Sequence, residues 1–511
     1  MSDGTCQPGN QNVACGRAGG LCDVCSITTR CEAGSCLLIG GGGGAGGGTG
    51  GGVGGGTGGG VGGGPGGGVG GGTGGGVGGG TGGGTGGGGT GGGGTGGGGT
   101  GGGVGGGTGG GTGGGVPTGN TLWLRAEFTT GVATQIFRQA PAGAAAMPFS
   151  VVPPRSNDFA ISDDGALAVI SYDQQADTLK AVPTAGGTEV TLHTTPSGQQ
   201  LTGPVISPDK QWVAFMQGNA SRVGFDLFAV RTSGASAAVR VSPPRGPTLN
   251  LQPTQWAFSQ NSRYLAVVGD FAANGVYELH VYELTSNTLT PLMTAAQIGT
   301  SEGVRDLGWS NTGQLLVRAK LGTVPSEIYT CAPAGPCTLI SGDPGNGTTT
   351  VGAMAVSPDG TVFVYTGDQR AAGVQDPYKM STTGGASTRL ATDAPANRRV
   401  GSGTMIISRD NARVAFTANY ASAMSTLYDV YVLPMAGGAT LQPLVIAGAT
   451  QEFYALCFSP ASNALAFRSD QTLNSTFEAF RLADFTTPNQ TPVLLQGVMT
   501  GGNVFDVRWT P

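Results

Sequence analysis

The sequence predicts an all-β fold, a β-propeller of about eight four-stranded blades, with seven as the alternative count. Three observations carry this. A short motif recurs eight times at a spacing near 50 residues. Each copy but the last leads into a short apolar run. The last copy lies at residues 509–511, and the strands it lacks are found ahead of the first copy.

The copies read Ile161-Ser162-Asp163-Asp164-Gly165, Ile206-Ser207-Pro208-Asp209-Lys210, Phe258-Ser259-Gln260-Asn261-Ser262 and Trp309-Ser310-Asn311-Thr312-Gly313. They continue as Val356-Ser357-Pro358-Asp359-Gly360, Ile407-Ser408-Arg409-Asp410-Asn411, Phe458-Ser459-Pro460-Ala461-Ser462 and Trp509-Thr510-Pro511. The intervals between the Ser/Thr positions are 45, 52, 51, 47, 51, 51 and 51 residues. Repeats of this length with strand-like content build a toroid of small sheets. Ser and Asp side chains bond nearby backbone amides, and Gly or Asn takes the left-handed position, so the motif reads as a turn.

The runs that follow, such as Trp212-Val213-Ala214-Phe215-Met216 and Tyr264-Leu265-Ala266-Val267-Val268, are too short for helices and apolar on both faces. They read as strands buried between stacked sheets. A small residue recurs in them, read as one register at Ala168, Ala214, Ala266, Ala415 and Ala466, with Val317 and Val364 in two copies. This register is expected at the crowded part of the blade near the axis. A third strand follows, for example Tyr428-Asp429-Val430-Tyr431-Val432. A glycine turn comes next, at Gly186-Gly187, Gly384-Gly385 or Gly437-Gly438. Glycine pairs supply the positive φ of a tight hairpin. Segments such as Glu189-Val190-Thr191-Leu192 and Leu441-Gln442-Pro443-Leu444 are expected as short outer strands.

Leu122-Trp123-Leu124-Arg125-Ala126 matches Leu315-Leu316-Val317-Arg318-Ala319, so residues 121 to about 155 read as a blade lacking its first strand. Residues 503–511 read as that strand alone. One blade built from both ends of this region would remove a free sheet edge.

The pattern hydrophobic-Ser-Pro-Asp-Gly, then hydrophobic-Ala-Phe, a Tyr-rich strand and Gly-Gly resembles the WD40-like (PD40) repeats of TolB-type propellers over residues 121–511. The best copies are those at Ser207 and Ser357. The resemblance implies a propeller and no particular activity. Related propellers serve as periplasmic interaction modules or as gating domains of peptidases. About eight repeats rather than six depart from the TolB pattern, and no N-terminal α/β domain is recognisable.

Residues 40–115 hold 59 glycines and 17 other residues, all Thr, Val, Pro or Ala. The period of four or five excludes collagen. Such a tract cannot bury a core and reads as a disordered tether over residues 40–120, spanning roughly 50 Å root-mean-square. Residues 1–39 carry Cys6, Cys15, Cys22, Cys25, Cys31 and Cys36. So small a module needs cross-links, and six cysteines allow 15 pairings, among which sequence does not choose. Disulfides are the first reading and a zinc site the second. The segment Cys22-x-x-Cys25-x5-Cys31-x4-Cys36 resembles short cysteine-rich modules of secreted bacterial proteins of myxobacterial type. Cys331 and Cys337 are expected to close a small loop disulfide, and Cys457 to be a buried free thiol.

Charged residues make up 11% of the chain and the net charge is −5. No basic stripe for nucleic acid and no polybasic membrane patch is present. The cysteine usage suits an oxidising compartment. The start, Met1-Ser2-Asp3-Gly4-Thr5-Cys6, shows no apolar signal segment, so an upstream signal, lipoprotein-like, is expected in a longer reading frame.

Candidate chemistry is sparse. Two histidines, His193 and His280, are too few for a multi-histidine metal site. Gly299-Thr300-Ser301-Glu302-Gly303 matches Gly-x-Ser-x-Gly, but no histidine follows it and no strand-turn-helix elbow surrounds it. The repeated Asp163, Asp164, Asp209, Asp359 and Asp410 read as turn-makers. No cofactor and no catalytic residue is expected. The reading is a monomeric, non-enzymatic binding or scaffold propeller outside the cytoplasm, taking protein or glycan at the cell envelope. Contact with a membrane would come only through an upstream anchor. The alternative is a polysaccharide hydrolase or lyase working at the channel mouth.

Overall fold

The computed structural model describes residues 29–32, 35–38 and 120–511. Excepted are the connecting segments 130–132, 140–145, 150–155, 174–175, 220–223, 245–252, 300–301, 342–349, 372–373, 396–399, 402–404, 422–427, 448–450, 474–475 and 496–500. The chain divides into two units, Met1–Gly105 and Gly106–Pro511. In the first unit, Thr29–Glu32 and Ser35–Leu38 pair as an antiparallel hairpin with Cys31 opposite Cys36. Cys6, Cys15, Cys22, Cys25 and the glycine tract lie outside the described residues.

The second unit is an eight-bladed propeller. Blade 1 is built from Ser156–Ile161, Leu167–Tyr172, Thr178–Pro183 and Val190–Thr194, each paired antiparallel with the next. The inner strands of blades 2 to 7 are Gln199–Ile206, Pro253–Phe258, Glu302–Trp309, Val351–Val356, Ile406–Ile407 and Phe453–Phe458. Blade 8 takes its inner strand from Gly501–Thr510 and its other strands from Thr121–Thr129, Gln135–Gln139 and Met147–Pro148. This split blade and the count of eight agree with the sequence reading, and seven is excluded.

The cores confirm the count. Each of eight apolar clusters joins one blade to the next. Examples are Phe215 of blade 2 against Val169 of blade 1, Trp309 of blade 4 against Ala266 of blade 3, and Leu124 of blade 8 against Ala466 of blade 7. The cluster of Trp123 and Ile136 with Phe159 and Ile170 joins blade 8 to blade 1 and closes the ring. Sheets apolar on both faces stack this way because neither face can meet water.

The motif forms the inner hairpin turn. The Ser162 hydroxyl donates to Asp164 at 2.7 Å and accepts from the Leu167 amide at 2.9 Å. Ser207, Ser357 and Ser408 repeat the pattern with Asp209, Asp359 and Asp410. The turn's fifth residue is left-handed in all seven complete copies, from Gly313 at φ 77° to Asn411 at φ 54°. Several outer strands are only two residues long, at Val239–Arg240, Thr388–Arg389 and Val493–Leu494, which leaves those blades little open edge for another chain to pair with.

Three details depart from the sequence reading. Ala168 and Val317 are one residue out of register. Val205, Gly308 and Ile406 pair with Ala214, Leu316 and Ala415, whereas Ala160 pairs with Val169, so the small position is not uniform. Leu441–Leu444 form no strand. Pro443 has no amide to donate, and the outer edge of blade 6 reduces to a bridge from Val430 to Val445. Blades 3 and 4 are joined by a short parallel pairing of Val276–Tyr277 with Glu302–Gly303. A Cβ on Gly303 would lie 2.4 Å from the Tyr277 carbonyl oxygen, so this glycine of the Gly-x-Ser-x-Gly match serves backbone approach. Ser301 lies outside the described residues.

Candidate functional site

Two surfaces of the ring carry polar and aromatic groups that the fold does not consume: the face bearing the motif turns and the wall of the central channel. The turn face is knit from blade to blade. Lys210 of blade 2 meets Asp164 of blade 1 at 2.6 Å, the Ser262 hydroxyl accepts from the Asp209 amide, and the Asn411 amide donates to Asp359 at 2.6 Å. Lys210 and its hydrogen bond, with those from Ser162 and Ala166, hold Asp164 near 2 despite partial burial. The residue between Ser and Asp sits at each turn tip, and some tips reach blades that are not neighbours. Arg409 of blade 6 donates to the Asp163 carbonyl of blade 1 at 3.1 Å, and Gln260 of blade 3 donates to the Pro358 carbonyl of blade 5 at 3.1 Å. Side chains therefore cross this mouth of the channel. The turn-maker reading fits the bonds of Asp164, Asp209, Asp359 and Asp410, whereas Asp163 lies at a turn tip and engages through its backbone carbonyl.

On the same face, two adjoining blades present arginine on half-buried aromatic rings. Trp212 begins the second strand of blade 2 and pairs in register with Arg231, the last residue of the third. The Arg231 guanidinium lies 4.0 Å from the indole centroid and donates to Gln211 at 3.0 Å. At the equivalent place in blade 3, Arg263 lies 5.1 Å from the Tyr264 ring and is held by Glu283, and Tyr264 stacks on Trp309 at 6.1 Å. A guanidinium over a ring gains cation–π energy and leaves an amphipathic, partly wet platform.

On the channel wall, the residue two places before the motif Ser/Thr is part-exposed in every blade, and the one four places before is so in blades 1 to 4 and 8, while those between are mostly buried. Side chains alternate along a strand, so these two positions face the axis. Most inner strands also carry a bulge near the fourth position, for example between Val304 and Asp306 and between Tyr454 and Cys457. Three aspartates occupy the fourth position, and each is engaged. Asp158 accepts from the amides of Phe159 and Gly203, both at 2.9 Å. Asp306 meets Arg318 at 2.5 Å. Asp506 meets Arg508 at 3.1 Å. Position two holds small or aliphatic residues, among them Ala160, Ala257, Gly308 and Ala355, then Cys457 in blade 7 and Arg508 in blade 8. The Asp506 carboxylate first, opposed by burial and joined by Cys457 and Asp158, raises Arg508 above its ordinary range. Burial pushes the Cys457 thiol up to about 12, although its side chain is only partly buried. Cys457 is free and packs against the apolar seam between blades 7 and 8.

The other singled-out residues are placed as follows. Cys331 and Cys337 form a disulfide across the outer hairpin of blade 4. His193 bonds Gln217 at 2.7 Å and packs on Phe215 and Phe228. His280 is buried against Phe271. The acids opening the third strands serve the loops. Leu201 donates to Asp177, Ala272 and Ala295 to Glu278, and Ala447 to Asp429. Among the described residues, no group of three or more His, Cys, Asp or Glu is placed to hold a metal ion. No described helix is long and apolar enough to cross a membrane. The channel aspartates and Arg508 become visible in sequence only when the copies are aligned on residues before the Ser.

No family model matches the chain, and no curated protein matches it. Among solved structures it is similar to Porphyromonas gingivalis dipeptidyl peptidase 4 (15% identity over 68% of this chain and 55% of that one, TM-score 0.46). It is also similar to puromycin hydrolase (15%, 69% and 58%, TM-score 0.42). A third is the β-propeller domain of the Trilobed protease from Pyrococcus furiosus (13%, 67% and 97%, TM-score 0.41). The chain spans little more than half the length of the first two.

Proposed function

We propose that this chain is a non-enzymatic, extracytoplasmic binding propeller of TolB-like type, tethered at the cell envelope through its glycine tract and cysteine module. The turn face takes protein or glycan. The observation that carries the reading is the pair of arginine-capped aromatics, Trp212 with Arg231 and Tyr264 with Arg263, at one register on adjoining blades. Rigid aromatic and arginine side chains supply most of the energy where folded surfaces meet partners. The alternative, a hydrolase or lyase at the channel mouth, needs uncommitted carboxylates, and Asp158, Asp306 and Asp506 are all held by protein donors.

The test is capture of the full-length protein on intact host cells and on purified envelope polysaccharide. The double variant Trp212→Ala, Tyr264→Ala is expected to bind at least about tenfold more weakly than wild type. Its folding is monitored separately by near-UV circular dichroism. Undiminished binding by the folded variant would refute the assignment to this face.

A further inference from the structure

We propose that the channel wall of blade 8 binds a small carboxylate, with Arg508 as its anchor. The inference stands apart from the turn-face reading, because the residues are different and point to the axis. Arg508 is the one charged residue at its register. Its side chain is 59% exposed, while its strand neighbours Val507 and Trp509 are buried. Its Nε donates to Asp506 Oδ2 at 3.1 Å, and among the described residues its two terminal nitrogens meet no protein acceptor. Four N–H groups of a permanently charged fork are therefore left without a protein acceptor among the described residues. Such a fork matches a carboxylate through two parallel hydrogen bonds.

The surroundings select among anions. Ala160 and Cys457 flank Arg508 at the same register in blades 1 and 7, and both are small and uncharged. They leave room and an apolar wall for a carbon skeleton. Asp506 and Asp158 both bear electrostatically on Arg508. Each unit of negative charge on a ligand pays their repulsion again, so a monoanionic carboxylate group is favoured over a phosphate dianion.

The experiment is thermal shift and isothermal titration of the full-length protein with acetate, propionate and inorganic phosphate at about pH 8 and matched ionic strength. Wild type is expected to be stabilised by the carboxylates and at least about tenfold less sensitive to phosphate. Arg508→Lys keeps the charge but not the fork and is expected to weaken carboxylate binding about tenfold. Arg508→Ala should abolish it. In case loss of the Asp506 partner unfolds that variant, Ala160→Leu fills the space beside the fork, leaves the Asp506 pair intact, and should also abolish it. Equal carboxylate response in wild type and these variants, or none in wild type, overturns the site. A phosphate response as strong as that to carboxylate overturns the ligand class.

Discussion

Deleting residues 503–511 is expected to destroy the cooperative melting of the propeller. The strand Gly501–Thr510 is the inner strand of blade 8, and its ladder with Thr121–Thr129 runs from Thr121 opposite Thr510 to Thr129 opposite Gly501. It buries Val504, Val507 and Trp509 in the seam between blades 7 and 8. Each such side chain contributes about 1.5–3 kcal/mol, so three approach the ~5–15 kcal/mol of a typical domain. The Trp123 indole also loses its acceptor, the Thr510 hydroxyl at 2.9 Å. The second strand of blade 8 would become an exposed apolar edge, prone to pairing with other chains. Calorimetry should show either no cooperative transition or a midpoint lower by more than about 10 °C. A synthetic peptide of residues 503–511 added in trans should restore it by strand addition. A transition within a few degrees of wild type would show that the ring does not depend on this closure.

That closure was legible because the truncated eighth copy and the orphan strands at 121–148 complement one another. The blade count was legible for the same reason, since the motif marks one invariant turn per blade. Register was less so. Ala168 and Val317 were aligned by residue size, whereas the ladder is set by the distance from the Ser turn. The missing outer strand of blade 6 follows from Pro443, a signal present in the sequence and outweighed there by the apolar flanks.

The candidate surfaces were harder to read, for a physical reason. Trp212 and Arg231 meet only because the hairpin of blade 2 pairs them, and Arg409 meets Asp163 only because the ring brings blade 6 across from blade 1. Nothing local in the chain encodes either meeting. Arg508 sits before the least complete copy of the motif, where a comparison that starts at Ser passes over it. The six N-terminal cysteines remain as the sequence leaves them, with only the opposition of Cys31 and Cys36 added.

The native state is expected to lose stability between pH 6.5 and about 4, in large part through His280. Its ring lies in the third strand of blade 3, edge-on to Phe271 at 5.4 Å, and among the described residues neither ring nitrogen has a hydrogen-bond partner. Burial pushes it down to about 4. In the unfolded chain an ordinary imidazole protonates near 6.5. Between these values the unfolded chain takes up a proton that the native site refuses, so stability falls as pH falls, by roughly 2–3 kcal/mol at pH 4.5. Above pH 6.5 both states are neutral and the contribution vanishes. Below about 4 the native ring also protonates and the loss levels off. His193 is pushed down as well, by burial opposed by its bond to Gln217. It and the carboxylates titrate in any His280 variant too, so they cancel in a comparison. His280→Leu removes an orphaned polar ring and should match or exceed wild type at pH 7.5, since replacing an unsatisfied buried group by an apolar one is not destabilising. Urea unfolding of both proteins at pH 7.5 and 4.5 should show a clearly shallower pH dependence for His280→Leu. Identical pH dependence would mean that the imidazole protonates inside the folded ring, which requires blade 3 to admit water to the seam it shares with Phe271.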